Sequence, residues 1–269
     1  MISRINKAFA QLGARDEGAL VAFVTAGDPF ISDMPALVAA IAQGGADIVE
    51  LGIPYSDPLA DGPSIQAASQ RALERGVTPD TVLQMVREIR TLSFVPLVLM
   101  TSYNLVLRYG LARFAQAASE AGADGAILTD LPPEEAASWK RQAEAHDIAT
   151  IFLVTPVSTP ARIQTIAHST TGFVYCVSRT GVTGARQDVP SDVQEMLSRV
   201  RTATDKPLCV GFGISTPAHV AQIVGAADGA VVGSALVDFL HAHANSPTLM
   251  QDVQALVGTW KDATRRTRN

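Results

Sequence analysis

Short, continuous apolar runs alternate along this chain with segments of helical periodicity. ALVAFVTAG (19–27), PLVLMT (96–101), ATIFLV (149–154), FVYCVS (173–178) and PLCVGFG (207–213) are apolar at nearly every position, not at every second one. Parallel strands covered on both faces show that pattern. Three further segments look alike: GGADIVELG (44–52), AGADGAILTD (121–130) and GAADGAVVGS (225–234). Each follows an Ala-rich helical pattern, offers small residues to end a helix, and then enters an apolar run. Counted together, these segments predict about eight strands.

Between them, ISDMPALVAAIAQG (31–44), TPDTVLQMVREIRT (78–91), LARFAQAASEAG (111–122), PEEAASWKRQAEAH (133–146) and TPAHVAQIVGA (216–226) read as helices. At the start of the chain, Ile2, Ile5, Phe9 and Leu12 recur at helical spacing and predict an extra N-terminal helix. About eight βα units in 269 residues favour one (βα)₈ barrel domain over residues 1–269. A doubly wound open sheet is the alternative. It would normally place a glycine-rich turn after the first strand, and TAGDPF is a poor version of one.

Composition narrows the function classes. Hydrophobic residues make up 47% of the chain and charged residues 17%, enough apolar matter for a sizeable core. The formal net charge is -5 and no lysine–arginine stripe appears, which argues against a nucleic-acid partner; RRTRN (265–269) is a short solvated tail. No segment is long and apolar enough to span a bilayer, and MISRINKAFAQLG lacks the core of a signal peptide. The two cysteines, Cys176 and Cys209, sit inside apolar runs without metal or redox spacing. Buried reduced thiols and a cytoplasmic location are expected.

One strand breaks the apolar rule. In VELGIPYSDPLADGP (49–63), Glu50 sits within the run, two residues before Gly52, and Asp61 follows on a loop that also holds Asp57. Near the C-terminal end of a barrel strand, Glu50 can point into the mouth, where partial burial would bring its pKa towards neutrality for proton transfer. It can equally be a structural carboxylate. Asp61 reads locally as an N-cap for a helix beginning near Pro63, and Asp57 as a turn residue before Pro58. Two carboxyls reaching one mouth would instead divide acid and base roles.

Two connections exceed the usual few residues: IPYSDPLADGPS (53–64) and SRTGVTGARQDVPSD (178–192). The second, with Gly181 and Gly184, is a candidate lid. GFGIST (211–216) and the GS at 233–234 follow the last two strands, where barrels commonly bind phosphate through backbone N–H groups. No lysine stands in either turn. The five histidines have no ligand spacing, so no metal site is expected. Ser102, Ser178 and Ser215 lack a nucleophile-elbow context. The residues by themselves describe a phosphate-binding acid–base barrel without a metal.

ELGIPYSDPLADGP (50–63), IQAAS (65–69), FVTAGDP (23–29), SRTGVTGA (178–185), GFGIS (211–215) and GAADGAVVGSALV (225–237) together resemble the tryptophan synthase α chain family, in the family's order and over nearly the whole chain. The resemblance implies a (βα)₈ barrel that cleaves indole-3-glycerol phosphate to indole and glyceraldehyde 3-phosphate, a retro-aldol reaction in tryptophan biosynthesis. By the same resemblance, Glu50 transfers the proton to indole C3 and takes the hydroxyl proton. Asp61 bonds the indole N–H, and Tyr175 helps place glutamate and substrate. Phe23, Leu153 and Phe212 would line the indole pocket, or else simply fill the barrel. Thr183 would meet Asp61, while Gly184, Gly213, Gly233 and Ser234 would cradle the phosphate. Two departures from the family pattern, Ser102 and Phe173, bear on the pocket.

The family pairs this chain with a β chain in a tetramer of two α and two β chains. There the β chain carries pyridoxal phosphate and receives indole, and the α chain needs no cofactor. Pro54, Asp57, Asn104 and Pro132 match the partner contacts. Rival readings are a lyase that works without β and a non-catalytic subunit that only activates its partner.

Overall fold

A computed structural model describes residues 3–58, 61–177, 191–211 and 213–266. The chain begins with α1 (Arg4–Arg15), β1 (Ala19–Thr25), α2 (Met34–Gln43), β2 (Ile48–Gly52), α3 (Pro63–Glu74) and α4 (Pro79–Leu92). It continues through β3 (Leu97–Thr101), α5 (Tyr103–Tyr109), α6 (Leu111–Ala121), β4 (Gly125–Leu128), α7 (Ala137–Ala145), β5 (Ala149–Ile151) and β6 (Leu153–Val154). The last part holds α8 (Pro160–Ser169), β7 (Val174–Val177), α9 (Ser191–Arg201), β8 (Leu208–Gly211), α10 (Pro217–Ala226), β9 (Gly229–Val232), α11 (Ser234–Ala242) and α12 (Leu249–Asp262).

All strand pairs are parallel, in the order β5-β4-β3-β2-β1-β9-β8-β7-β6. The nine strands occupy eight barrel positions, because the run ATIFLV is interrupted at Phe152. Ala149–Ile151 pairs with β4 and Leu153–Val154 with β7, so the chain changes partner across the break. The Phe152 carbonyl accepts the Tyr175 N–H at 3.1 Å and helps close the barrel there. The expected (βα)₈ barrel, with α1 added before the first strand, is the architecture found.

The repeated Gly-Ala-Asp segments have one structural cause. Asp47, Asp124 and Asp228 each stand just before a strand and accept a backbone N–H from the neighbouring one: Leu20, Leu97 and Leu208, all at 2.8 Å. Each carboxylate is also paired with a cation: Asp47 with Lys261, Asp124 with Arg4 and Arg90, Asp228 with Arg201. An N–H at or next to a strand's start can lie beyond the regular ladder and needs an acceptor. The repeat supplies one at three edges of the barrel's N-terminal end.

Period-two alternation hides inside the apolar runs. Leu20, Ala22 and Val24 face the helix ring, whereas Val21 and Phe23 face the barrel interior. In β2, Val49 and Leu51 pack outward and Ile48 inward, which leaves Glu50 on the inward side. The lower interior is filled by Val21, Ile48, Val98, Ile127, Ile151 and Phe173, and Ile5 of α1 closes it. Ser3 caps α1 by accepting the Asn6 N–H at 3.2 Å. Among the described residues this lower end is plugged, so a site belongs at the strands' C-terminal ends.

Candidate active site

Glu50 is fully buried, and neither carboxyl oxygen has a hydrogen-bond partner among the described residues. Its parallel neighbours are Phe23 on β1 and Val98 on β3. Taking an unpaired carboxylate out of water disfavours its charged form, and burial alone pushes the Glu50 pKa up to about 8. A structural carboxylate would be tied down by donors. An orphaned one, held protonated at neutral pH, is a proton donor in waiting.

Above this layer two glycines make room for two rings. A Cβ on Gly52 would lie 2.7 Å from Phe23 Cζ, and one on Gly211 only 2.3 Å from the Tyr175 hydroxyl oxygen. Tyr175 is almost wholly buried, and its phenol pKa stands well above the usual value through burial first, then the charges of Glu50, Cys209 and Asp61. Tyr175 therefore remains a neutral hydrogen-bonding group across the physiological range.

Asp61 does not cap a helix. The N-cap of α3 is Gly62, with Pro63 at the first turn as expected, and among the described residues no side-chain cap bond is made there. The Asp61 carboxyl instead lines a cavity of about 270 Å³, where burial raises its pKa to about 6. Phe23, Tyr175, Met100 and Val231 supply the cavity's apolar wall. Gly213, Gly233 and Ser234 form the end where α11 begins. Gly213 has φ +73°, a left-handed conformation that suits glycine, and an added Cβ at Gly62 would be 3.8 Å from Ser234 Oγ. One enclosure thus joins an acid, an apolar wall and a helix N-terminus able to hold an anion.

The structure brings together Phe23, Asp61, Tyr175, Gly213, Gly233 and Ser234 around this cavity. Glu50 and Leu153 are not among its lining residues; Leu153 lies level with Tyr175 on the adjacent strand. Thr183, Gly184, Phe212 and most of the candidate lid fall outside the described residues. Ser102 caps α5, and Phe173 packs against Phe9 with ring centroids 6.0 Å apart at the barrel's closed end. Neither departure reaches the cavity. Met100, Ile65 and Asp238 line it although the sequence does not mark them, and Ser215, of the GFGIST turn, lines it without a nucleophile's surroundings. Met100 shares the inward side of its strand with Val98, which a run apolar at nearly every position does not reveal, and nothing in the sequence marks Asp238.

A second, larger depression of about 770 Å³ includes Pro54, Asp57 and Asn104 but neither acid. Its size does not make it the reaction site, because the carboxyl raised by burial, Asp61, lines the smaller cavity together with Tyr175. Pro132 is not part of its lining. Among the described residues, no cluster of three or more His, Cys, Asp or Glu is placed to hold a metal, and no helix is long and apolar enough to cross a membrane.

Comparison with known proteins places the chain in a family. The family model for the tryptophan synthase alpha chain matches residues 9–265. The tryptophan synthase alpha chain of Geobacter sulfurreducens is 50% identical over 262 residues, which is 97% of this chain and 99% of that protein. That of Solibacter usitatus is 48% identical over 248 residues, 92% of this chain and 93% of its own. Among solved structures, subunit alpha from Legionella pneumophila superposes with a TM-score of 0.90 at 37% identity, covering 98% of this chain and 99% of that one. A chain of Mycobacterium tuberculosis tryptophan synthase gives 0.90 at 38% identity, covering 99% and 100%. The chain belongs to the tryptophan synthase alpha chain family, whose reaction is the cleavage of indole-3-glycerol phosphate with transfer of indole to a β subunit.

Proposed function

We propose that Glu50 and Asp61 divide the acid–base work of that cleavage, with Tyr175 placing the glutamate and substrate. The observation that carries the reading is Glu50 itself, a buried carboxyl without a hydrogen-bond partner among the described residues, beside an acid-lined cavity. Protonated Glu50 gives its proton to indole C3. Positive charge then develops on the ring, and ionised Asp61 accepts a hydrogen bond from the ring N–H and stabilises it. The Glu50 carboxylate next removes the proton of the side-chain hydroxyl. As the carbonyl forms, the carbon–carbon bond breaks and its electrons return to the ring. Indole and glyceraldehyde 3-phosphate leave, and Glu50 is again protonated.

Phe23 and Leu153 serve the apolar indole end, and Gly213, Gly233 and Ser234 the phosphate end. These two carboxyls supply the proton chemistry, so the chain uses no cofactor of its own; pyridoxal phosphate belongs to the β partner. The groove at Pro54, Asp57 and Asn104, together with Pro132, receives that partner in a tetramer of two α and two β chains. Residues 1–269 act as one domain, in the cytoplasm.

The test is indole release as a function of pH. Asp61 must be ionised and Glu50 protonated, so kcat/KM should form a bell with limbs near 6 and 8. A profile flat from about pH 5 to about pH 9 would refute the division of roles. Failure to release indole with or without β would favour a subunit that only activates its partner. Unchanged turnover on adding β would favour a lyase that works alone.

Gly211→Ala offers a check on Tyr175. The new Cβ would occupy the space 2.3 Å from the phenol oxygen, so the ring must swing away. Turnover should drop by about tenfold or more from a displaced site group. Full activity in that variant, with Tyr175 moved in its structure, would remove Tyr175 from the mechanism.

A further inference from the structure

Helix α3 carries nothing that the mechanism uses, yet it is tied at several points around Asp61. At its C-terminal half, Arg71 donates from Nε and Nη2 to the two carboxyl oxygens of Asp28 at 2.8 and 2.7 Å, and Arg75 Nη1 adds a third bond at 3.1 Å. Asp28 lies on the connection after β1 and is only 3% exposed, so both cations compensate a buried charge. A forked guanidinium contact fixes angle as well as distance. At the other end, Ser64 Oγ donates to Asp238 of α11 at 2.9 Å. Between these ties, Ile65 and Ala68 pack on Phe23 of β1.

Gln66 is one turn into this helix. Its amide donates to the Asp61 carbonyl at 2.8 Å and to the Pro58 carbonyl at 3.4 Å. The Asp61 N–H in turn donates to the Pro58 carbonyl at 3.0 Å. Both groups bonded to Gln66 there are carbonyl oxygens, so its NH₂ group must face them. The backbone that carries Asp61 is therefore pinned to α3, and α3 is pinned to the barrel through Asp28.

We propose that Gln66 and the Asp28–Arg71–Arg75 clamp are positioning residues for Asp61, holding its carboxyl against the cavity. This rests on the role given to Asp61 above. Without the tie, the Asp61 backbone can drift outward by the fraction of an ångström to which turnover is sensitive. The titratable groups that share its surroundings are Tyr55 and Tyr175, whose phenols its charge raises, and Asp238 on the same cavity. None of these touches Gln66 in the described hydrogen bonds, so releasing Asp61 acts on its own burial.

The experiment measures indole release with saturating β partner for Gln66→Met, Arg71→Lys, Asp61→Asn and Gln70→Met. Gln70 lies one turn further on and donates to Glu74 at 2.9 Å, away from Asp61, so its variant serves as the control. Gln66→Met should lower kcat between about tenfold and about a hundredfold, with KM within about twofold of the wild type. Its acid limb should move to lower pH, because an Asp61 returned to water loses the burial that raised it. Arg71→Lys keeps the charge but loses the fork, and the same limb shift is expected. Should that variant fail to fold, the surface-exposed Gln66→Met still decides. Wild-type kcat and an unmoved limb in Gln66→Met, with Asp61→Asn inactive, would overturn the positioning role alone. Wild-type turnover in Asp61→Asn would overturn both this inference and the reading beneath it.

Discussion

Glu50→Gln should lower indole release by roughly 10²–10⁴-fold, the usual contribution of a positioned general acid–base group. Glutamine keeps the size and burial but cannot give or take the proton. Binding of glyceraldehyde 3-phosphate, which needs the anion end and not the acid, should stay near the wild-type value. The same substitution should make the protein more stable at neutral pH. The folded-state pKa of about 8 lies above the ordinary 4.5, so the folded chain binds this proton more tightly than the unfolded chain does. The resulting stability is fully present below pH 4.5, fades as pH rises and is lost through pH 8. At neutral pH the deficit is about 3 kcal/mol, on the scale of about 1.36 kcal/mol per pKa unit. A glutamine at this position carries no such dependence. Denaturant unfolding at about pH 4 and about pH 8 should therefore show little difference between the two proteins at the lower pH and a clear advantage for the variant at the higher. Wild-type turnover, or a variant less stable than wild type at the higher pH, would contradict the assignment. If Glu50 acts as proposed, keeping this acid protonated at neutral pH is bought with stability.

Asp61→Asn is the second large effect. Removing the charge that faces the protonated indole ring should cost ~2–4 kcal/mol of transition-state stabilisation, as for other preorganised electrostatic contacts. That is a loss of roughly thirtyfold to a thousandfold in turnover. The acid limb near 6 should vanish along with it, because asparagine does not titrate in this range. Asp61 caps no helix, so no cap is lost, and because its folded pKa of about 6 lies above the ordinary 3.8 the variant should, as at Glu50, be more stable than the wild type at neutral pH. Retained activity with the acid limb intact would leave Asp61 as a mere wall of the cavity and assign the limb to another group.

Local chemistry makes much of this legible in the sequence. The continuous apolar runs, the small residues at helix ends and Pro63 at a helix start each express a preference settled within a few residues. Glu50 stood out for the same reason, as a charge where the local pattern calls for an aliphatic side chain. The family motifs then carried the reaction, since they record chemistry that spacing cannot express.

What remained hidden depends on barrel closure. Asp61 reads as a helix cap in its own neighbourhood, and only the approach of β1, β7 and α11 makes it a cavity residue. Phe173 and Tyr175 are two positions apart on nearly the same strand, yet one packs under α1 and the other beneath the mouth. The repeated aspartates look like part of a turn motif until each is seen to accept the N–H of the adjacent strand. The sequence by itself determined the alternating elements, the barrel they build and the acid placed inside it, because those follow from short-range periodicity and burial. Only the tertiary structure decided which side chains share the cavity, which end of the barrel is closed and what holds Asp61 in place. Those depend on strand register and on contacts between residues far apart in the chain.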